Sequence, residues 1–143
     1  MIVDEAYIDF GGETALPLID KYDNLVVVRT FSKSRSMAGL RIGYAISNPE
    51  LIKALNDVKY SYNSYTMNRP SLVLGVESIH DDAYFREKVG QIIATRERFV
   101  KEIAELGFTC LPSSANFVFA THESIPAKEI FAEAKENNIY VRY

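Results

Sequence analysis

The chain has no tryptophan and one cysteine, Cys110, among its 143 residues, so no internal disulfide framework exists and a disulfide-stapled secreted scaffold is excluded. Histidine occurs only at His80 and His122, far apart and without a second ligand at metal-binding spacing, which argues against a metal centre. No apolar run is long enough to span a bilayer, and no charged-then-apolar leader opens the sequence. A membrane-spanning helix and an ordinary signal peptide are therefore not expected, and the cytoplasm is the expected compartment. Positive charge is not in excess: 16 Lys and Arg stand against 19 Asp and Glu, a net charge of −3. Nucleic acid and anionic membrane are thus unexpected partners, which leaves small molecules or proteins. Internal repeats and low-complexity segments are missing too.

What is present suits a packed α/β domain. Hydrophobic residues make up 48% of the chain, enough for a core, and the length predicts one domain with two small lobes possible. Ile2-Val3, Leu25 to Val28 and Ile42 to Ile46 are short, apolar and rich in β-branched residues, as buried parallel strands are. Asn48-Pro49-Glu50 predicts a helix start, with Asn48 as N-cap, Pro49 at the first helical position, and Leu51, Ile52, Leu55 and Val58 at helical spacing as far as about Lys59. Tyr60 to Tyr65 reads as an aromatic and polar linker, and Pro70 to Ile79 as a further helix. From Asp82 to Leu106, Phe85, Val89, Ile92, Ile93, Phe99, Ile103 and Leu106 trace one stripe of a long helix that Gly107 stops. Strands are predicted at Phe108 to Leu111, Asn116 to Ala120 and Ile139 to Tyr143, and a helix at Pro126 to Asn138 with Ile130, Phe131 and Ala134 inward.

The chemistry concentrates near the first strands. Lys33 stands in Thr30-Phe31-Ser32-Lys33, after the run Leu25 to Val28, and Arg41 follows in Ala38-Gly39-Leu40-Arg41-Ile42-Gly43-Tyr44. Asp4-Glu5-Ala6-Tyr7 follows Ile2-Val3. An amine at a strand end can condense with an aldehyde. The hydroxyls of Thr30 and Ser32 and the guanidinium of Arg41 suit a phosphate. A carboxylate at Asp4 would keep a ring nitrogen protonated, and Tyr7 would donate to a ring oxygen. An aldehyde, a phosphate and a basic ring nitrogen together describe pyridoxal phosphate. Asp4 and Lys33 both follow strands, and ligands of doubly wound sheets sit outside the carboxyl ends of strands, so one rim is expected to carry both. Each residue also has an ordinary use: a solvated charge for Lys33, a turn acid for Asp4, a core aromatic for Tyr7, local hydrogen bonding for Thr30 and Ser32, and an ion pair with Glu50 or Asp57 for Arg41.

These stretches resemble the histidinol-phosphate aminotransferases, members of the fold-type-I pyridoxal-phosphate aminotransferases. Asn48-Pro49-Glu50, Ser114 to Val118 and Ile139 to Tyr143 continue the likeness in the same order. The resemblance implies an α/β fold: the remnant of a mostly parallel large-domain sheet over 1–81, and a truncated α+β small domain over 82–143, with the change near Asp81. It implies the C-terminal portion of such an enzyme, without the upstream Gly-rich phosphate turn and stacking aromatic, or the downstream Arg for the substrate carboxylate. It assigns Lys33 as the catalytic amine, Asp4, Tyr7, Thr30, Ser32, Lys33 and Arg41 to the cofactor, and Arg142 to a substrate anion. An amino donor and a keto acid are the implied small-molecule partners, and a homodimer the implied state of the complete enzyme.

Two departures stand out. Arg35 falls where many relatives carry an aromatic residue; it reads as an added anion contact or as a solvated charge, and the solvated charge is its expected state. Ala120-Thr121-His122 replaces a stretch where many relatives have an Arg for the substrate phosphate, which weakens histidinol phosphate as substrate. Arg96, Glu97 and Arg98 read as a solvated helix face. A related decarboxylase or lyase shares the Lys and Asp signature, and a non-catalytic binding or dimerisation module would keep the fold alone.

Overall fold

The computed structural model describes residues 1–143. Two compact units divide the chain, Met1–Gln91 and Ile92–Tyr143.

In the first unit, the β-branched runs Ile2–Asp4 (β1), Val26–Thr30 (β2) and Gly43–Ile46 (β3) make one sheet in the order β1-β2-β3. β1 and β2 are parallel, with Asp4 opposite Val28. β3 corrects the expectation of three parallel strands, because it pairs antiparallel to β2 with Gly43 opposite Thr30. A parallel return needs a long crossover, usually a helix, and the segment between β2 and β3 holds only the three-residue 3-10 turn Ala38–Leu40. Phe10, Leu25 and Val27 are fully buried, with Val26, Phe31 and Ile42 close behind.

Two helices follow, and local sequence sets both starts. In Pro49–Tyr62 (α1) the Asn48 side chain accepts from Leu51 N at 2.9 Å, and Pro49 occupies the first turn. In Arg69–His80 (α2) Asn68 does the same for Ser71 N at 2.8 Å. α1 takes in Tyr60 to Tyr62, which the sequence assigns to a linker. Leu51 and Ile52 are half-buried, whereas Leu55 and Val58 are exposed, so the α1 stripe reaches only its first turn.

Asp82–Ala104 (α3) contains the division between the units. Phe85 and Val89 are inward as expected, and so are Ile92, Ile93 and Ile103. Phe99 and Leu106 are exposed, while Arg96 and Val100 take the inward positions. Arg96 is thus no solvated charge: its Nη1 donates to Ala115 O at 2.7 Å, within the second unit.

The second unit holds the antiparallel pair Phe108–Cys110 (β4) and Ala120–His122 (β5), and the helix Ala127–Glu136 (α4). The expected strand at Asn116 shrinks to Ala120 onward, because Ser113 turns the chain on itself: its Oγ donates to Phe117 O at 2.6 Å and accepts from Ala115 N at 3.1 Å. Gly107 ends α3 in a left-handed conformation, φ 87°, and a Cβ there would sit 2.8 Å from His122 Nε2. Ile130, Phe131 and Ala134 are the shielded positions of α4. Ile139 to Tyr143 forms no strand, since no neighbouring strand pairs with it; Ile139 N bonds Ala134 O at 2.8 Å and the Tyr143 ring packs at a tilt of 42° against Phe131, centroids 4.8 Å apart.

Candidate functional site

The parallel pairing of β1 and β2 brings their carboxyl ends to one edge, and β3 begins at that same edge because it runs the other way. Asp4 closes β1, Thr30 closes β2, and Arg41 lies just before β3. Side chains alternate along a strand, so Asp4, level with Val28, shares a sheet face with Thr30. Asp4, Thr30 and Arg41, separated in sequence, thereby lie at one end of the sheet with the segment that carries Lys33.

Lys33 Nζ lies 5.2 Å from the centroid of the Tyr7 ring, within cation–π range. Thr30 Oγ1 is 2.9 Å from Ser32 Oγ and 3.1 Å from Ile42 O, and it accepts from Ser32 N at 3.1 Å. When Thr30 donates to Ser32, the Ser32 proton is available to an anion. Arg41 Nη1 donates to Ala38 O at 2.9 Å, and neither Glu50 nor Asp57 pairs with it; Asp57 instead takes Lys53 at 2.6 Å. Arg41 adopts a left-handed backbone, φ 55° and ψ 41°, and Ser36 does likewise at φ 56°. Each costs about 1–2 kcal/mol for a non-glycine residue, and such strain gathers where a fixed loop path is needed. Asp4 Oδ1 accepts from Ala6 N at 2.9 Å, the turn role open to any Asp after a strand.

Asp4, Lys33 and Arg41 are exposed, so these 143 residues do not themselves bury the amine. The donor set nevertheless fits pyridoxal phosphate: two hydroxyls and a guanidinium for a dianion, an amine for an aldehyde and a carboxylate for a ring nitrogen, all at one strand edge. Arg142, the expected contact for a substrate anion, is exposed in the irregular segment that ends the second unit.

The family described as aminotransferase class I and II matches residues 1–143. The chain belongs to that family. It is 51% identical over its whole length to the histidinol-phosphate aminotransferase of Clostridium botulinum strain 657, of which it covers 40%. The solved histidinol-phosphate aminotransferase of Clostridium acetobutylicum superposes with a TM-score of 0.88 at 29% identity, over 99% of this chain and 43% of that one. The Sinorhizobium meliloti histidinol-phosphate aminotransferase, solved in complex with pyridoxal-5'-phosphate, gives 0.85 at 30% identity, over 99% and 39%. The chain spans about 40% of the length of the curated relatives it matches.

Around the rim lies a supporting set that the sequence reading missed. Glu5, beside Asp4 but on the opposite face, is buried and accepts from Arg29 Nη2 at 2.8 Å, Arg29 Nε at 3.0 Å, Thr14 Oγ1 at 2.9 Å and Ala15 N at 2.6 Å. Burial alone would raise the Glu5 carboxyl pKa, but the bonds from Ala15, Arg29 and Thr14 and the Arg29 charge outweigh it and hold the pKa below its ordinary value. Arg29 is likewise raised, burial opposing and the Glu5 bond prevailing. The period-2 alternation that places Asp4 and Thr30 on one face places Glu5 and Arg29 on the other, a usable signal. Ser34, buried, donates to Asp9 and so ties the residue after Lys33 to the segment after Tyr7.

α2 braces the loop from its other side through positions spaced i, i+4 and i+7. Ser71 donates to Leu40 O at 2.9 Å, Gly75 lets the Ile42 and Phe31 side chains approach, and Ser78 O accepts from Arg35. Arg35 is therefore not the solvated charge expected of it.

Proposed function

We propose that this chain contributes the lysine-bearing part of the active site of a pyridoxal-phosphate-dependent aminotransferase that acts on histidinol phosphate with 2-oxoglutarate and glutamate. The observation that carries the reading is the convergence of Asp4, Tyr7, Thr30, Ser32, Lys33 and Arg41 on one sheet edge. The name of a relative 51% identical over the whole chain supports the substrate.

When bound, the cofactor supplies an aldehyde that takes up amines and a ring that accepts the electron pair left by C–H cleavage. Lys33 Nζ would attach the aldehyde carbon and, once released by the incoming substrate amine, accept the proton from the substrate α-carbon at that same nitrogen. General acid–base help of this kind contributes about two to four powers of ten in rate. The Asp4 carboxylate would hold the proton on the ring nitrogen, Tyr7 would orient the ring through its hydroxyl, and Ser32, Thr30 and Arg41 would hold the phosphate. Arg142 would meet a substrate anion. Because the rim is exposed, we also propose that the 143 residues alone are poor catalysts, and that the active form is a homodimer of a longer chain.

The test is addition of pyridoxal phosphate, reduction with borohydride and peptide mapping. The expected result is a dominant adduct at Lys33 that disappears in Lys33→Ala. Labelling spread over the exposed lysines would overturn the cofactor reading. Supplying glutamate separates the reactions: pyridoxamine phosphate signals amino transfer, whereas carbon dioxide release would signal decarboxylation.

A further inference from the structure

The loop that presents Lys33 is closed at its base by backbone bonds, Phe31 N to Ile42 O at 3.1 Å and Met37 N to Phe31 O at 3.0 Å. Within it one backbone bond, Ser36 N to Lys33 O at 3.1 Å, and the Ser34 bond to Asp9 hold the start of the path, and the left-handed Ser36 beyond them must be held against its strain. Arg35 supplies that hold. Its guanidinium carbon lies 4.1 Å from the centroid of the Phe85 ring and 5.4 Å from that of Phe31, and its Nη1 donates to Ser78 O. Phe31 is itself buried and meets Tyr44 of β3 edge-to-face at 6.0 Å, so one of the two ring contacts is anchored against the sheet. Ser78 stands in the last turn of α2, where carbonyls carry the negative end of the helix dipole and favour a cation. One flat cation thus joins the exit of β2, the end of α2 and the start of α3.

We propose that Arg35 is a positioning residue for Lys33, a planar strut that fixes the loop path and thereby the direction of the amine; the claim rests on the cofactor reading above. Reaching two rings and the Ser78 carbonyl at once uses the breadth of the guanidinium and its several donors. A lysine would keep the charge and the stem but not the plane, so it is the informative replacement.

The experiment compares the wild-type chain with Arg35→Lys and, as a second probe, Phe85→Leu, using three readouts. Far-UV circular dichroism and the unfolding midpoint report folding. Amide exchange at Ser36 and Met37 reports the loop. Borohydride trapping of pyridoxal phosphate reports the yield at Lys33 relative to the exposed Lys53. We expect both variants to keep their helical signal, to exchange Ser36 and Met37 about tenfold faster, and to label Lys33 about 10- to 100-fold less while Lys53 is unchanged. A general loss of structure would move both lysines and all amides together. Wild-type exchange and wild-type Lys33 labelling in R35K would overturn the proposal. If the wild-type chain labels Lys33 no faster than Lys53, the cofactor reading fails, and exchange alone decides whether Arg35 holds the loop: unchanged exchange in R35K overturns the strut as well.

Discussion

At the scale of single residues, adjacent positions divide the labour. Asp4 faces the rim with its carboxylate exposed, while Glu5 turns to the other face, is buried and is bonded by Arg29, Thr14 and Ala15. The chemistry-bearing candidates stood out in the sequence because Lys33, Asp4 and Arg41 fall in stretches that together resemble one family. Glu5 did not, because a carboxylate reads as surface until a partner is known, and strand alternation points to Arg29 only once β1 and β2 are known to pair in this register. The direction of the Glu5 shift fixes a pH dependence. Its folded pKa is below the ordinary 4.5, so its stabilisation is fully present above that value and is lost as pH falls through the depressed one. Urea unfolding of the wild-type chain should therefore weaken steeply below about pH 4.5, and that part of the slope should vanish in Glu5→Gln. At neutral pH the same variant should lose about 1.5–3 kcal/mol, the worth of buried hydrogen bonds to a charged group. Equal acid slopes in the two proteins would show that Glu5 is not the group titrating.

Among the elements, helix starts were the most legible feature: Asn48-Pro49 carries its cap in the local sequence, and Pro70 marked the second start although the Asn68 cap went unread. The direction of β3 was hidden because pairing sense depends on what the intervening loop can build. The orientation of α2 was hidden for a related reason. Its buried positions are Ser71 and Gly75, with Ser78 half-buried, while Leu72, Val73, Val76 and Ile79 are exposed. Reading apolar as inward turns this helix the wrong way. Gly75 is the fulcrum, because a Cβ there would stand 3.0 Å from Ile42 Cδ1 and 3.9 Å from Phe31 Cε2. Gly75→Val adds two further methyl groups to that contact and should cost about 1–3 kcal/mol by overpacking, despite any gain in helix propensity. Thermal unfolding measures the loss. Exchange of the Phe31 amide, which bonds Ile42 O, should rise with it; an unshifted midpoint would mean that α2 does not seat on the loop through this residue.

For the molecule as a whole, the outward apolar face of α2 has a consequence that composition alone conceals. Leu72, Val73, Val76 and Ile79 are each about half exposed, between 51% and 53%, and Tyr62 and Tyr65 are above 90%. All six lie in the first unit, and together they give the chain more exposed apolar surface than isolated hydrophobic residues on a folded monomer would. A hydrophobic fraction of 48% promises a core, yet only a few side chains are fully buried, and that difference follows from how elements face, which no sum over residue types records. The 143-residue chain should accordingly bind anilinonaphthalene sulfonate under native conditions with its helical signal intact. Val76→Lys should lower that fluorescence while moving the unfolding midpoint by no more than about 0.5 kcal/mol, as for a surface substitution, because the side chain meets water and not the loop. A loss of several kcal/mol would instead place Val76 in a packed interior, and with it would fall the assignment of Ser71, Gly75 and Ser78 as the face that braces Lys33.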